Sequence, residues 1–333
     1  MDLITLAIPV YNVEECVERA LLSALNQTYP NIDYLIVDDR GPDKSMDVVR
    51  KTIASHPRGK QVRVIENPEN LGTGIVRNVI IEQTRGKYLF FLDSDDEITL
   101  DCIQKLYDEI KRTNEDVVSG SHNEIRDGEI IRRQGGKQFS ATDREGIIMS
   151  FFDIKKFFAG PVNKLFNVAF LRENNIRFIH LFSEDIYFSF AVLMNARSYR
   201  LIPDVTYSYI MRSTSFGGGG QWKEHVCKSW VPVFIDILQY LQQSQTNTAL
   251  RIKIKKKLFG SRLNIAYSAL KSPYKVQHYI NDYLSPALLK DKDTLKSPVL
   301  LLAYIFSLMP FFIKKQGVKL FSTIKNFYKK NKR

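Results

Sequence analysis

Cysteine is scarce in this chain, with three residues out of 333. Cys16, Cys102 and Cys227 are odd in number and widely spaced, so they offer neither a disulfide framework nor a thiolate metal centre. They read as core residues of a protein kept reduced. There is no internal repeat. No apolar run is long enough to span a bilayer. The longest candidate, residues 298–313 (PVLLLAYIFSLMPFFI), would reach about 24 Å as a helix at ~1.5 Å per residue, short of the ~30 Å hydrocarbon core. Pro310 would also kink it. The first strand is expected within a few residues of Met1, so a signal peptide is not expected. Acidic residues are absent from residues 314–333, where eight Lys or Arg stand, so of the net charge of +12 the tail supplies +8 and the rest +4. A short apolar segment followed by a polybasic one fits a chain lying on an anionic membrane surface better than a spanning helix. A C-terminal helix packed on the domain is the alternative. Hydrophobic content of 44% and charged content of 25% are ordinary for a globular protein.

Residues 88–97 read YLFFLDSDDE, an apolar strand that runs straight into Asp93, Asp95 and Asp96. Packing gives no reason to gather like charges at a strand end, since each repels the next and loses solvation if buried. A divalent cation removes both problems, because hard oxygen ligands on alternate residues suit Mg²⁺ or Mn²⁺. Such sites use one or two carboxylates together with substrate phosphates, which makes a nucleotide the natural partner. A solvated acidic turn capping the helix that follows is the other reading.

Residues 3–10 (LITLAIPV) form a buried-type strand. Asn12, with Glu15 three residues on, has the pattern of a capping box opening a helix through Val17, Ala20, Leu21, Ala24 and Leu25. Strands are expected at residues 34–37, 62–65 and 87–92. Helices are expected from Ser45, from the Gly72–Gly74 pair, and over residues 100–112. This alternation implies a largely parallel sheet covered on both faces. Ligands bind such sheets beyond the carboxyl ends of the strands. Tyr11 and Asn12, Asp38 and Asp39, and residues 93–96 all sit at those ends. Beyond residue 120 the alternation weakens. Residues 123–138 read as a hairpin or loop, residues 147–200 as helical with short extended pieces, and the chain from Trp230 as helical. Four glycines at residues 217–220, beside Gln221 and Trp222, suggest a flap.

Several of these pieces occur in the order of a known family. They are IPVYN at residues 8–12, VDD at 37–39, NLGTGIVRN at 70–78, FLDSDDE at 91–97, NKLF at 163–166 and SEDIYF at 183–188. With them the chain resembles the family-two glycosyltransferases of bacterial surface-polysaccharide synthesis. The resemblance covers roughly residues 3–215. It implies the A-type fold, a Rossmann-like, mixed and mostly parallel sheet flanked by helices, with a helical C-terminal extension. The implied organisation is a nucleotide-sugar domain over residues 1–215, a flap and helical extension over 216–296, and a membrane-associating segment over 297–333. The implied place of action is the cytoplasmic face of the cell membrane. Two departures stand out. VDDRGPDKS replaces the family's VDDGS or VDDCS, so Arg40 takes the place of a small residue. The QxxRW motif of processive synthases is absent, which argues for one sugar per binding event.

The resemblance also implies roles. A UDP-sugar donor would be held by Pro9, Val10, Tyr11, Asn12, Asp39, Arg77, Asp93 and Ser94, with the Asp39 carboxylate on the uracil imide N–H and Asp38 bracing its loop. Asp95 is the expected ligand of Mn²⁺ or Mg²⁺, Asp93 the partner of the ribose hydroxyls or a water-mediated ligand, and Asp96 the alternative metal ligand. Lys164 and Arg212 are candidate diphosphate contacts, against a solvated surface role for each. Asp185, flanked by apolar and aromatic residues that raise a carboxylate's pKa, is the expected general base. Glu184 is either a helix N-terminal acid or an acceptor contact. The expected acceptor is a glycan or a lipid-linked hydroxyl. Nucleic acid is not expected as a partner, and a homo-oligomer is left open. Two other classes compete. A sugar-phosphate nucleotidyltransferase would carry a Gly-rich basic loop after the first strand, where this chain has IPVYNVEE. A non-enzymatic basic membrane- or nucleic-acid-binding protein leaves the strand-end carboxylates unexplained.

Overall fold

Strand β1 (Ile4–Val10) has no polar face because strands cover both of its edges and helices both of its sides. The elements that follow are α1 (Val17–Leu25), β2 (Ile32–Asp38), α2 (Ser45–Ser55), β3 (Val62–Glu66), α3 (Thr73–Gln83), β4 (Tyr88–Phe91), β5 (Glu97–Ile98) and α4 (Cys102–Thr113). Then come β6 (Val117–Arg126), β7 (Glu129–Gln134), β8 (Phe139–Ala141), α5 (Arg144–Ser150), β9 (Lys164–Asn167), α6 (Val168–Glu173), α7 (Glu184–Asn195), β10 (Tyr199–Met211) and α8 (Glu224–Gln243). The computed structural model describes residues 1–180, 183–212 and 224–258, together with 290, 292, 293, 296 and 297. The Gly-rich segment at 217–220 and the apolar and basic segments at 298–333 lie outside the described residues.

The sheet order is β3-β2-β1-β4-β9-β6-β10-β5, with β7 paired to β6 and β8 to β10. The β3-β2-β1-β4 half is parallel throughout. Strand β9 then enters antiparallel between β4 and β6, and β10 runs parallel to β6. The architecture is the mixed, helix-flanked sheet of the A-type fold. Its core under one face joins Ile4, Leu6, Ile8 and Val10 of β1 to Val17, Leu21 and Leu25 of α1 and to Ile103, Leu106 and Ile110 of α4. Alternate residues of a strand meet residues at helical spacing there, as layered packing requires.

The helix opening at Asn12 differs from the sequence expectation. Helix α1 begins at Val17, with Cys16 at its cap and no side-chain cap bond. Asn12 sits in the left-handed region, at φ 53, and Val13 N donates instead to Ser45 Oγ at 2.8 Å. The loop after β1 is thus tied across to the start of α2 rather than capped locally. Glu14 N donates to Asp43 and Lys44 N donates to Glu14, so the two loops clasp each other. Gly41 makes the approach feasible, because a Cβ there would lie 2.7 Å from Asn12 N.

The chain divides into two compact units, residues 1–180 with 184–220, and residues 181–183 with 221–333. In the second unit, Val233, Phe234, Ile237, Leu238 and Leu241 form the buried stripe of α8. Fully buried Asp293 accepts from Arg251 and Lys255, pairing that holds its carboxyl well below the usual range. Among the described residues no helix is long and apolar enough to cross a membrane.

Candidate active site

The parallel register brings the loops together. Val10, the last residue of β1, lies opposite Asp38, the last of β2, and Leu92 N donates to Ala7 O at the end of β4. The loops that start at Tyr11, Asp39 and Asp93 therefore leave one edge of the sheet, the edge at which parallel sheets take ligands.

Of the three aspartates after β4, two face the cleft and one supports it. Asp96 is buried. It accepts from the Tyr207 hydroxyl at 2.6 Å and from Ile210 N at 2.8 Å. Burial, with the charges of Asp95 and Asp93 beside it, pushes its pKa well up. The expectation that Asp96 could serve as the direct metal ligand is corrected here, because its oxygens pin the acidic turn to β10. Asp93 and Asp95 are about a quarter exposed at the side chain, 27% and 25%. Asp93 receives Arg77, and Asp95 receives Arg212, at 2.8 and 2.7 Å. Burial and the neighbouring Asp93 charge raise the pKa of Asp95 against the pull of Arg212. Ser94 is buried between them.

Arg77 links these aspartates to the second carboxylate pair. It is buried on α3, and its other terminal nitrogen donates to Glu184 Oε1 at 2.8 Å. Its guanidinium lies 5.6 Å from the centre of the Phe178 ring. Close passage of α3 is what allows this. A Cβ on Gly74 would stand 2.7 Å from Ile179 O, just before the start of α7. Glu184 is thus an ion-pair partner, and beside it Asp185 is half-buried with Oδ1 accepting from Ile186 N at 2.9 Å. Burial raises both carboxyl groups above their ordinary range, opposed by the Arg77 charge. In the raised range a carboxylate is a stronger base. Tyr209, on the same face of β10 as Tyr207, is close enough for Asp96, Asp93, Asp95 and Asp185 all to raise its pKa further, after burial.

At the β1–β2 end, Asp39 is buried and ringed by donors. Oδ1 accepts from Asn67 Nδ2 and Leu71 N, and Oδ2 from Asn70 Nδ2 and Gly72 N, at 2.8–3.1 Å. A carboxylate has about four acceptor positions, so Asp39 holds the loop into α3. The exposed Asn70 amide is the one side chain there that solvent can replace. Asp38 accepts from Arg40 N at 2.9 Å, bracing a residue held at φ 56. Arg40 in turn donates to Asn67 O at 2.7 Å and pairs with Glu66. An open cavity of about 390 Å³ is bordered by Val10, Tyr11, Asp38, Arg40 and Gly41. Pro9 is half-buried, while Tyr11 and Asn12 are exposed at the same edge.

Lys164 is a correction. Its ammonium is buried and donates to the carbonyls of Phe158, Gly160 and Val162 at 2.9, 2.7 and 3.2 Å. It lies over the Phe157 ring, and burial lowers its pKa to about 7. All three donors hold the loop before β9, so Lys164 does not face a diphosphate. Three contributors gave no signal in sequence: Tyr207, Asn67 and the Ile210 amide. Each acts on a residue more than 25 positions away.

Among the described residues no group of three or more His, Cys, Asp or Glu could hold a metal by itself. Asp93 and Asp95, on alternate positions of one turn, are partly exposed at the side chain. Two carboxylates with the rest supplied by phosphate and water is the donor set Mg²⁺ and Mn²⁺ accept. Arg212 already sets a positive charge against Asp95, so the residues fit a cation there.

Comparison with known proteins shows the family and the fold. The sequence profile described as glycosyl transferase family 2 matches residues 5–174. A poly(ribitol-phosphate) beta-glucosyltransferase of Bacillus spizizenii is 29% identical over 262 residues, 75% of this chain and 38% of that protein. The poly(ribitol-phosphate) beta-N-acetylglucosaminyltransferase TarP of Staphylococcus aureus is 24% identical over 300 residues, 85% of this chain and 88% of its own. The crystal structure of S. aureus TarS 1–349 in complex with UDP-GlcNAc superposes with a TM-score of 0.68 at 18% identity. That match covers 99% of this chain and 92% of that one.

Proposed function

The chain belongs to glycosyl transferase family 2, and from that membership we propose that it moves a hexose or N-acetylhexosamine from a UDP-sugar to an acceptor hydroxyl, with inversion. The observation that carries this reading is the Arg77 bridge. One buried guanidinium joins Asp93, at the nucleotide end of the cleft, to Glu184, next to Asp185. The group that meets the donor and the group that meets the acceptor are thereby held in one frame.

In this reading the uracil lies along residues 9–12, and its imide N–H reaches Asp39 as the Asn70 amide gives way. Asp93 and Ser94 meet the ribose, and Arg212 meets the diphosphate. A Mg²⁺ or Mn²⁺ ion, held by Asp95 with Asp93 behind it, would supply positive charge that stabilises the departing diphosphate. Asp185 takes the proton from the acceptor hydroxyl as that oxygen bonds to the anomeric carbon and the bond to UDP breaks. With Asp185 as the one base and no second carboxylate assigned as nucleophile among the described residues, displacement is single and an α-linked donor gives a β-linked product. The acceptor is a glycan, a polyol phosphate or a lipid-linked hydroxyl of a surface polymer. Residues 298–333, apolar then basic, would hold the enzyme to the anionic inner face of the membrane where such acceptors lie.

A panel of UDP-sugars scored for hydrolysis and transfer with and without Mn²⁺ tests this. Release of UDP from one donor, dependent on the cation and lost in Asp95→Ala, is expected. No UDP release from any member would refute the reading.

A further inference from the structure

The two cleft aspartates each hold a guanidinium, and the two arginines differ in exposure and in their place on the fold. Arg77 is 7% exposed at the side chain, sits inside a helix, and divides its terminal nitrogens between Asp93 and Glu184. Arg212 is 28% exposed at the side chain, stands just past the last residue of β10, and donates to Asp95 Oδ2 at 2.7 Å. Arg19, on α1, reaches only the Asp95 main-chain oxygen, at 3.4 Å, and pairs with Glu97. The charge on the Asp95 side chain is therefore met by an arginine at the end of its element, in the place where a divalent cation would act. Asp93 and Asp96 flank Asp95, so stripping that carboxylate of its counter-charge is costly. A diphosphate entering this acidic cleft needs a cation of its own, and a guanidinium fork suits phosphate as well as it suits carboxylate.

We propose that Arg212 is an exchangeable counter-charge, paired with Asp95 in the ligand-free cleft and transferred to the donor's diphosphate on binding, which frees the Asp95 carboxylate for the cation. The inference rests on the reading of Asp95 given above and adds a coupling to it. Nucleotide draws Arg212 off Asp95, the divalent ion replaces it there, and each ligand strengthens the other. Coupling of this kind is typically 5- to 150-fold.

Titration calorimetry of UDP in EDTA on four proteins, wild type, Asp95→Asn, Arg212→Gln and the double variant, reads the exchange without any metal. Asp95→Asn removes the carboxylate that holds Arg212 in this pair and should tighten UDP by about tenfold, within the range measured for directly interacting pairs. In the Arg212→Gln background the same change should alter affinity less than about twofold. Simple removal of a negative charge would act alike in both backgrounds. Equal tightening in the two, or none in either, overturns the proposal. Mn²⁺ titrated without nucleotide gives the second reading. Arg212→Gln should bind it about fivefold more tightly than wild type, the lower end of that coupling range, and unchanged affinity counts against the exchange. If Mn²⁺ fails to strengthen UDP binding to the wild type, the metal role of Asp95 is lost, while the EDTA comparison still decides the pairing of Arg212.

Discussion

Replacing Asp185 with Asn separates the chemistry from the fold. Among the described residues its side chain accepts only from the adjacent Ile186 N, at Oδ1 and 2.9 Å. An amide oxygen can accept that bond equally well, so helix α7 should start unchanged. What the amide cannot do is take a proton. A positioned general base contributes about 10²–10⁴ in rate, or roughly 3–5 kcal/mol at 1.36 kcal/mol per decade. The turnover number should fall by that factor while the dissociation constant for UDP stays within about twofold, since Asp185 stands beside Glu184, at the far end of the Arg77 bridge from Asp93. The pH dependence gives an independent reading. Burial raises the Asp185 pKa, and the base works only when ionised, so wild-type kcat should fall as pH drops through that raised value. In Asp185→Asn the acid limb should vanish from whatever activity remains. Stability has the opposite sign. A carboxyl whose pKa is raised by folding weakens the fold as pH climbs from its unfolded value through its folded one. The Asn variant should therefore unfold in urea at neutral pH at a midpoint no lower than wild type. Near-normal turnover with a persistent acid limb would refute the assignment.

Other outcomes follow from the same geometry. Arg77→Met leaves Asp93 and Glu184 without their shared cation and should cost about 3 kcal/mol, the low end for a broken buried pair because Asp93 is partly exposed; an unshifted urea midpoint would show that the bridge carries no load. Lys164→Met should cost about 1–3 kcal/mol by removing the donor from three buried carbonyls, with UDP affinity unchanged; a tenfold loss of UDP binding would return Lys164 to the diphosphate. Truncation after residue 296 should move the protein from the membrane pellet to the supernatant at low salt, and an unaltered distribution would remove the anchor.

The parallel half of the sheet was legible because its logic is local. Buried strands such as residues 4–10 and 88–91 have no polar face, and helices at 3.6-residue spacing follow them. The antiparallel half was not. Strand β9 spans only Lys164–Asn167, too short to show a period. Strand β10 carries Pro203 and a register irregularity between Leu201 and Val205, which breaks its alternation. Strand β9 is defined by its neighbours β4 and β6, and β10 by β6 and β5, all of which lie far off in sequence.

The same division runs through the site. Asp93, Asp95 and Asp185 stand out in sequence because a carboxylate beside an apolar strand or among aromatic residues lacks a packing reason, and the structure brings Asp93 and the neighbour of Asp185, Glu184, onto one guanidinium. Lys164 misled because charge in a family motif looks like ligand chemistry until its three acceptors are seen, all of them main-chain oxygens that sequence leaves blank. Asp96 misled similarly, since its identity as a pin depends on Tyr207 and the Ile210 amide, over a hundred residues later. Sequence thus identifies which charges need a partner, whereas only the fold decides whether that partner is the protein or its substrate. By that criterion Asp93, Asp95 and Arg212 are charged yet partly exposed, whereas Asp96 and Lys164 are buried with the protein as their partner.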